Sequence, residues 1–146
     1  MEKNRKNLKS MSIVVLIFVA FSLIRMIVDV CVNGFGDIGQ LPEGTSPEVA
    51  EVVLVVVWAL GIVFLLPQVY IGIKGIKQAQ NPTRGKAHMI WAVILTAMSA
   101  ISLISGIVDI SKAYTFDKLL TVTDVLFNVI VFGAYYFYAR QVAKEL

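Results

Sequence analysis

Charge is scarce in this chain. Asp, Glu, Lys and Arg together make up 16% of it, against about a quarter of a soluble domain. There is one cysteine and one histidine. A single Cys31 excludes an intramolecular disulfide, and at the end of an apolar run it reads as an inert thiol. A lone His88 with no cysteine pair to join it leaves no set of metal ligands. The chain also lacks a His-Glu-x-x-His, a phosphate-cradling Gly-x-x-x-x-Gly-Lys and a Gly-x-Ser-x-Gly motif. No metal, cofactor or catalytic residue is expected. Polar stretches long enough to fold into a separate soluble domain are missing too. These absences exclude a water-soluble enzyme and a receptor with a large ectodomain.

What is abundant is apolar sequence: 58% of the 146 residues, with a mean hydropathy of +0.78. It is concentrated in four runs, residues 11–32, 49–73, 89–110 and 119–139. Each is long enough to cross a hydrocarbon core of about 30 Å as a helix, which takes about 20 residues. Barrel strands would be about 10 residues long and strictly alternating, and these runs are continuous. The expected fold is therefore an all-α membrane protein, a single four-transmembrane-helix bundle over residues 1–146. Tails 1–10 and 140–146 are expected to be cytoplasmic.

The orientation follows from the basic residues. Lys3, Arg5, Lys6 and Lys9 precede the first run, Lys74, Lys77, Arg84 and Lys86 lie between the second and third, and Arg140 and Lys144 follow the fourth. The opposite side has only Lys112 and Lys118 in its connections, together with Asp37, Glu43, Glu48 and Glu51. This positive-inside bias places both termini in the cytoplasm, with a bacterial cytoplasmic membrane as the preferred location. The basic clusters have no aromatic or Gly-rich company that would suit nucleic acid. The first run is too long for the apolar part of a signal peptide and has no small-x-small cleavage site after it, so it is read as retained.

Local signals set the helix ends. Ser46 is a candidate cap, Pro47 suits a first helical position, and Glu48 and Glu51 favour the positive dipole end. The second helix is expected to run to Gln80, stop at Asn81-Pro82, and kink at Pro67, which frees the carbonyl of Val63. Asp117 is the expected cap of the fourth helix. The connection from Asn33 to Gly44, rich in glycine, reads as an external loop. Residues 21–30 (FSLIRMIVDV) and 101–110 (ISLISGIVDI) agree at six of ten positions. A repeat of that kind would divide the bundle into two tandem helical hairpins.

Polar residues at membrane depth are costly, so they carry the information. Gln68 in the second span and Asp124, Asn128 and Tyr135 in the fourth form a candidate polar seam, either a bundle interior or an interface between protomers. Arg25 and Asp29, four residues apart, form a candidate outer ion pair, with Asp109 at the same level of the third span. The adopted reading is a structural pair, and the competing one is a site for an anionic group at the external mouth. Small residues at Ser99, Ser102 and Gly106 suit close helix packing. Tyr70, Trp91, Tyr135, Tyr136 and Tyr138 suit an interfacial aromatic belt, and His88 an exposed interfacial position.

Two family resemblances bear on function. In size and span number the chain resembles small multidrug-resistance transporters, but their acidic residue belongs within the first span, and Asp29 sits at its outer end beside Arg25. The stretch from Gly61 to Lys74, with Pro67-Gln68 at its centre, resembles the Pro-Gln motif of PQ-loop proteins and bacterial half-SWEET sugar transporters, and the likeness extends over the second to fourth spans with Asn128 in the last. That resemblance implies a homodimer passing a small solute down its gradient. The first span is an addition to that pattern, and the paired hairpins favour two-plus-two over one-plus-three. The leading reading is a non-enzymatic accessory, partner-binding or protective membrane subunit. Its expected partners are the lipid bilayer and either a second copy or another membrane protein. The small-solute transporter is the runner-up.

Overall fold

A computed structural model describes residues 2–33 and 44–146; the glycine-rich connection and its acidic residues Asp37 and Glu43 lie outside the described residues. Four helices follow one another: α1 (Glu2–Asn33), α2 (Pro47–Gln80), α3 (Ala87–Lys112) and α4 (Phe116–Lys144), with no strand among the described residues. All four are long and apolar enough to cross a membrane. The molecule is a four-helix bundle of a multi-pass membrane protein.

The ends of the helices follow local chemistry. Ser46 is extended, and its hydroxyl accepts from the Val49 amide at 3.4 Å, with Pro47 in the first turn. At the other end of α2 the Asn81 amide closes on the Lys77 carbonyl at 2.8 Å, and Pro82 prevents continuation. Helix α2 runs unbroken through Pro67. The cap of α4 is Thr115 and not Asp117: Thr115 is extended and its hydroxyl accepts from the Lys118 amide at 3.3 Å. Asp117 falls instead in the first turn, where its charge suits the dipole. Helix α1 begins at Glu2, so residues 2–10 of the tail expected over 1–10 are a helical extension. The reason is a buried stripe of Leu8, Ser12, Val15 and Val19, which carries the packed face of the span three residues beyond its apolar run.

Antiparallel neighbours α1 and α2, and α3 and α4, make the most extensive contacts, while α1 and α3 do not touch among the described residues. The bundle is thus two helical hairpins side by side, the division that the partial repeat implies. The core lies at one end. Leu8, Val15, Ile71, Met89, Ala92, Leu95, Phe132, Tyr135, Ala139 and Val142 are all buried there, in the half that carries both terminal helix ends and the α2–α3 connection. This half is called the basic end below. In the far half only Leu54 is buried among the described residues.

Side-chain bonds stitch the basic end together. The Arg5 guanidinium donates to the Ala79 carbonyl at 2.7 Å and to that of Gln80, meeting the free carbonyls at the end of α2. Asn4 donates to Glu145 at 2.6 Å, joining the first and last turns of the chain. Buried Gln78 clamps the α2–α3 connection: its Oε1 accepts from the Thr83 amide at 2.7 Å and its Nε2 donates to the Thr83 hydroxyl at 2.5 Å.

Candidate functional site: a polar groove between three helices

Glycines bring α1 and α2 together. A Cβ on Gly72 would lie 2.6 Å from the Leu16 side chain, and one on Gly61 would lie 2.8 Å from the end of Met26. At Gly75 three helices meet: a Cβ there would overlap the Ser12 hydroxyl of α1 and stand 2.5 Å from the ring of Tyr135 of α4. Close backbone approach of this kind is what small residues supply in a bilayer. Tyr135 is fully buried, and its hydroxyl donates to the Ile71 carbonyl at 2.7 Å. It belongs to the core and not to an interfacial belt. His88 is likewise buried at 5% exposure, with its ring edge-on to that of Tyr135 at 6.2 Å. The expectation of an exposed His88 fails because the first turn of α3 is tucked into the basic-end core. These residues form a closed floor.

Beyond the floor the helices separate. A groove of about 410 Å³ opens between α2, α3 and α4. Pro67 and Gln68 line it from α2, Trp91, Leu95, Ser99 and Ser102 from α3, and Asn128 and Phe132 from α4. Buried Leu95 and Phe132 bound it toward the basic end. Among the described residues, the side chains of Gln68, Ser99, Ser102 and Asn128 make no hydrogen bond, unlike Thr96, whose hydroxyl donates back to the Ala92 carbonyl at 2.7 Å. Four polar side chains thus share a groove at membrane depth without partners.

A second groove of about 470 Å³ lies on the other side of α4, against α1, lined by Phe18, Phe21, Ser22, Arg25, Asp124, Phe127 and Asn128. Asn128 therefore borders both grooves. Here the Arg25 guanidinium lies 3.5 Å from the Asp124 carboxylate. It turns across to α4, whereas the sequence suggested Asp29 one turn along its own helix. Asp109 is elsewhere again, at the far end of α3 beside Asp117 and Lys118. Of the seam residues, Gln68 and Asn128 share the first groove, Asp124 faces the second with Arg25, and Tyr135 lies in the floor below.

Sequence reasoning missed Ser12, Phe132 and the part played by His88. The only signal for Ser12 was its place in the stripe Leu8, Ser12, Val15, Val19, opposite a glycine on a helix not yet known to face it. No protein-family model matches this chain, and neither a curated protein nor a solved structure matches it.

Proposed function

We propose that the protein is a non-enzymatic accessory subunit of a membrane assembly, which receives a transmembrane helix of a partner in the groove between α2, α3 and α4. The observation that carries this reading is the set of unpartnered polar side chains, Gln68, Ser99, Ser102 and Asn128, lining that groove. In hydrocarbon an unbonded amide or hydroxyl is costly, and polar side chains within spans normally bond across helices. The fitting occupant is a helix with small residues at the contact and a hydrogen-bonding side chain at the level of Gln68 and Asn128.

The test is cross-linking in native membranes with Cys31→Ser as the background. A cysteine at Ser102 should capture a second polypeptide at fixed stoichiometry, and one at Ile104, exposed on the opposite face of α3, should not. Equal capture at both positions, or at neither, overturns the reading.

A second reading, a small-solute transporter acting as a homodimer, is favoured by one feature: the polar groove ends blindly on the Leu95, Phe132 and Tyr135 floor. Such one-sided closure suits a pathway that opens to one side at a time. Under that reading a cysteine at Ser102 reacts with a water-soluble thiol reagent, and only copies of this chain are captured.

A further inference from the structure

A third groove, of about 480 Å³, lies at the basic end on the outer surface of the α3–α4 hairpin. Its walls are two facing stripes. Lys86, Ile90 and Val93 run along the start of α3, with Met89 beside them, and Tyr136, Arg140 and Lys144 run along the end of α4. Each set has helical spacing of three or four residues, so each forms one face. By helical rise the groove extends about 10–12 Å along the hairpin.

The polarity along it is graded. Because α3 and α4 are antiparallel, Lys86 and Lys144 stand at the rim with Arg140 one turn deeper. Ile90, Val93 and the Tyr136 ring form the deeper, apolar part. Among the described residues, none that lines the groove is acidic. None of the three cations has an ion pair or a side-chain hydrogen bond among the described residues. The nearest acid in sequence, Glu145, is held by Asn4 on the α1 side. The groove therefore joins three uncompensated positive charges at the membrane surface to an apolar slot leading into the hydrocarbon.

We propose that this groove binds one anionic phospholipid of the surrounding leaflet, with its phosphate among Lys86, Arg140 and Lys144 and an acyl chain along Ile90, Val93 and Tyr136. Charge complementarity selects this occupant. Arginine and lysine at the ends of spans bind phosphate oxygens and attract anionic lipids. A zwitterionic headgroup would bring an ammonium to three cations with no carboxylate to receive it. An amphipathic protein helix would satisfy the apolar slot, and only a strongly acidic one would also meet the clustered charge. The uncapped first turn of α3 at Lys86 adds amide donors at the same rim, a secondary contribution. This site stands independently of the accessory-subunit reading, because it shares no lining residue with the polar groove.

The experiment is native mass spectrometry of the full chain in nanodiscs mixing phosphatidylglycerol with phosphatidylcholine. The wild type should retain one phosphatidylglycerol in preference to phosphatidylcholine. The triple variant Lys86→Gln, Arg140→Gln, Lys144→Gln should weaken that retention on the order of a hundredfold, at roughly one surface-charge increment per residue. A control triple, Lys3→Gln, Lys6→Gln, Lys9→Gln, removes equal charge from the same end and should keep the lipid. Val93→Trp, which fills the slot and leaves the charges, should also displace it. Thermal midpoints of all variants establish that each is folded. Equal loss in the control triple would reduce the effect to general surface charge and overturn the site. Retention of phosphatidylcholine as readily, or of an acidic polypeptide in place of lipid, would overturn it as well.

Discussion

The Tyr135 hydroxyl donates to the Ile71 carbonyl at 2.7 Å, tying α4 to α2 across the diagonal of the bundle. The bond lies where Ser12 and Gly75 also meet, so one side chain holds three helices in register. Tyr135→Phe keeps the ring and removes the bond. It should cost about 0.5–1.5 kcal/mol, read as a lowered unfolding midpoint in detergent. Tyr135→Ala, which also empties a fully buried volume, should cost about 3–5 kcal/mol.

Gly75 tests the same junction from the other side. Gly75→Ala places a methyl group against the Ser12 hydroxyl and the Tyr135 ring, and overpacking of this kind costs about 1–3 kcal/mol. Ser12→Gly should recover part of that loss, so the double variant is more stable than the sum of the singles. Strict additivity would mean that α1 does not press on Gly75.

The number of spans and the Ser46 cap were legible in the sequence because each depends on neighbours along the chain, whereas the two-hairpin arrangement was signalled by the partial repeat of residues 21–30 and 101–110. An apolar run of span length, or a Ser-Pro-Glu start, needs no knowledge of the rest of the fold. Where the core sits was not legible. In a bilayer the lipid-facing and buried sides of a helix are both apolar, so hydrophobic periodicity does not mark the packed face. That is why His88 looked interfacial, Tyr135 looked like part of a belt, and Arg25 was matched with Asp29 on its own helix instead of Asp124 on another. Gln68 and Asn128 were identifiable as a pair because amides at membrane depth are conspicuous whichever way they face.

The Gln78 side chain is buried and makes two bonds to Thr83 across the α2–α3 connection. Gln78→Leu leaves the Thr83 amide without its acceptor. Amide hydrogen exchange over residues 81–86 should speed up, with a stability loss of about 1–3 kcal/mol. Exchange in the α3–α4 connection should be unchanged, which separates loosening of this one loop from general destabilisation.

Arg25 and Asp124 join α1 to α4 in the far half, where Leu54 is the one buried side chain among the described residues. Both side chains are largely exposed, at 74% and 65%, so the pair is worth about 0.2–1 kcal/mol in a detergent micelle. Arg25→Asp alone sets two carboxylates against each other and should lower the unfolding midpoint. Combining it with Asp124→Arg should restore most of the loss. Failure of the exchange to rescue would mean that Arg25 acts on something other than Asp124.

Asn128 gives the sharpest test of the polar groove because stability and association should move in opposite directions. Its amide borders both the α2–α3–α4 groove and the α1–α4 groove, and among the described residues it bonds to nothing. Asn128→Leu removes an unsatisfied amide from membrane depth, so the isolated protein should become more stable, by about 1 kcal/mol. The same change deletes the group that a partner helix or a solute would bond, so retention of a partner in native mass spectrometry, or flux, should fall. An amide whose work is to hold this chain together would behave oppositely, losing stability on replacement. A rise in the unfolding midpoint coupled to a loss of association identifies Asn128 as a residue kept for what binds to the bundle and not for the bundle itself.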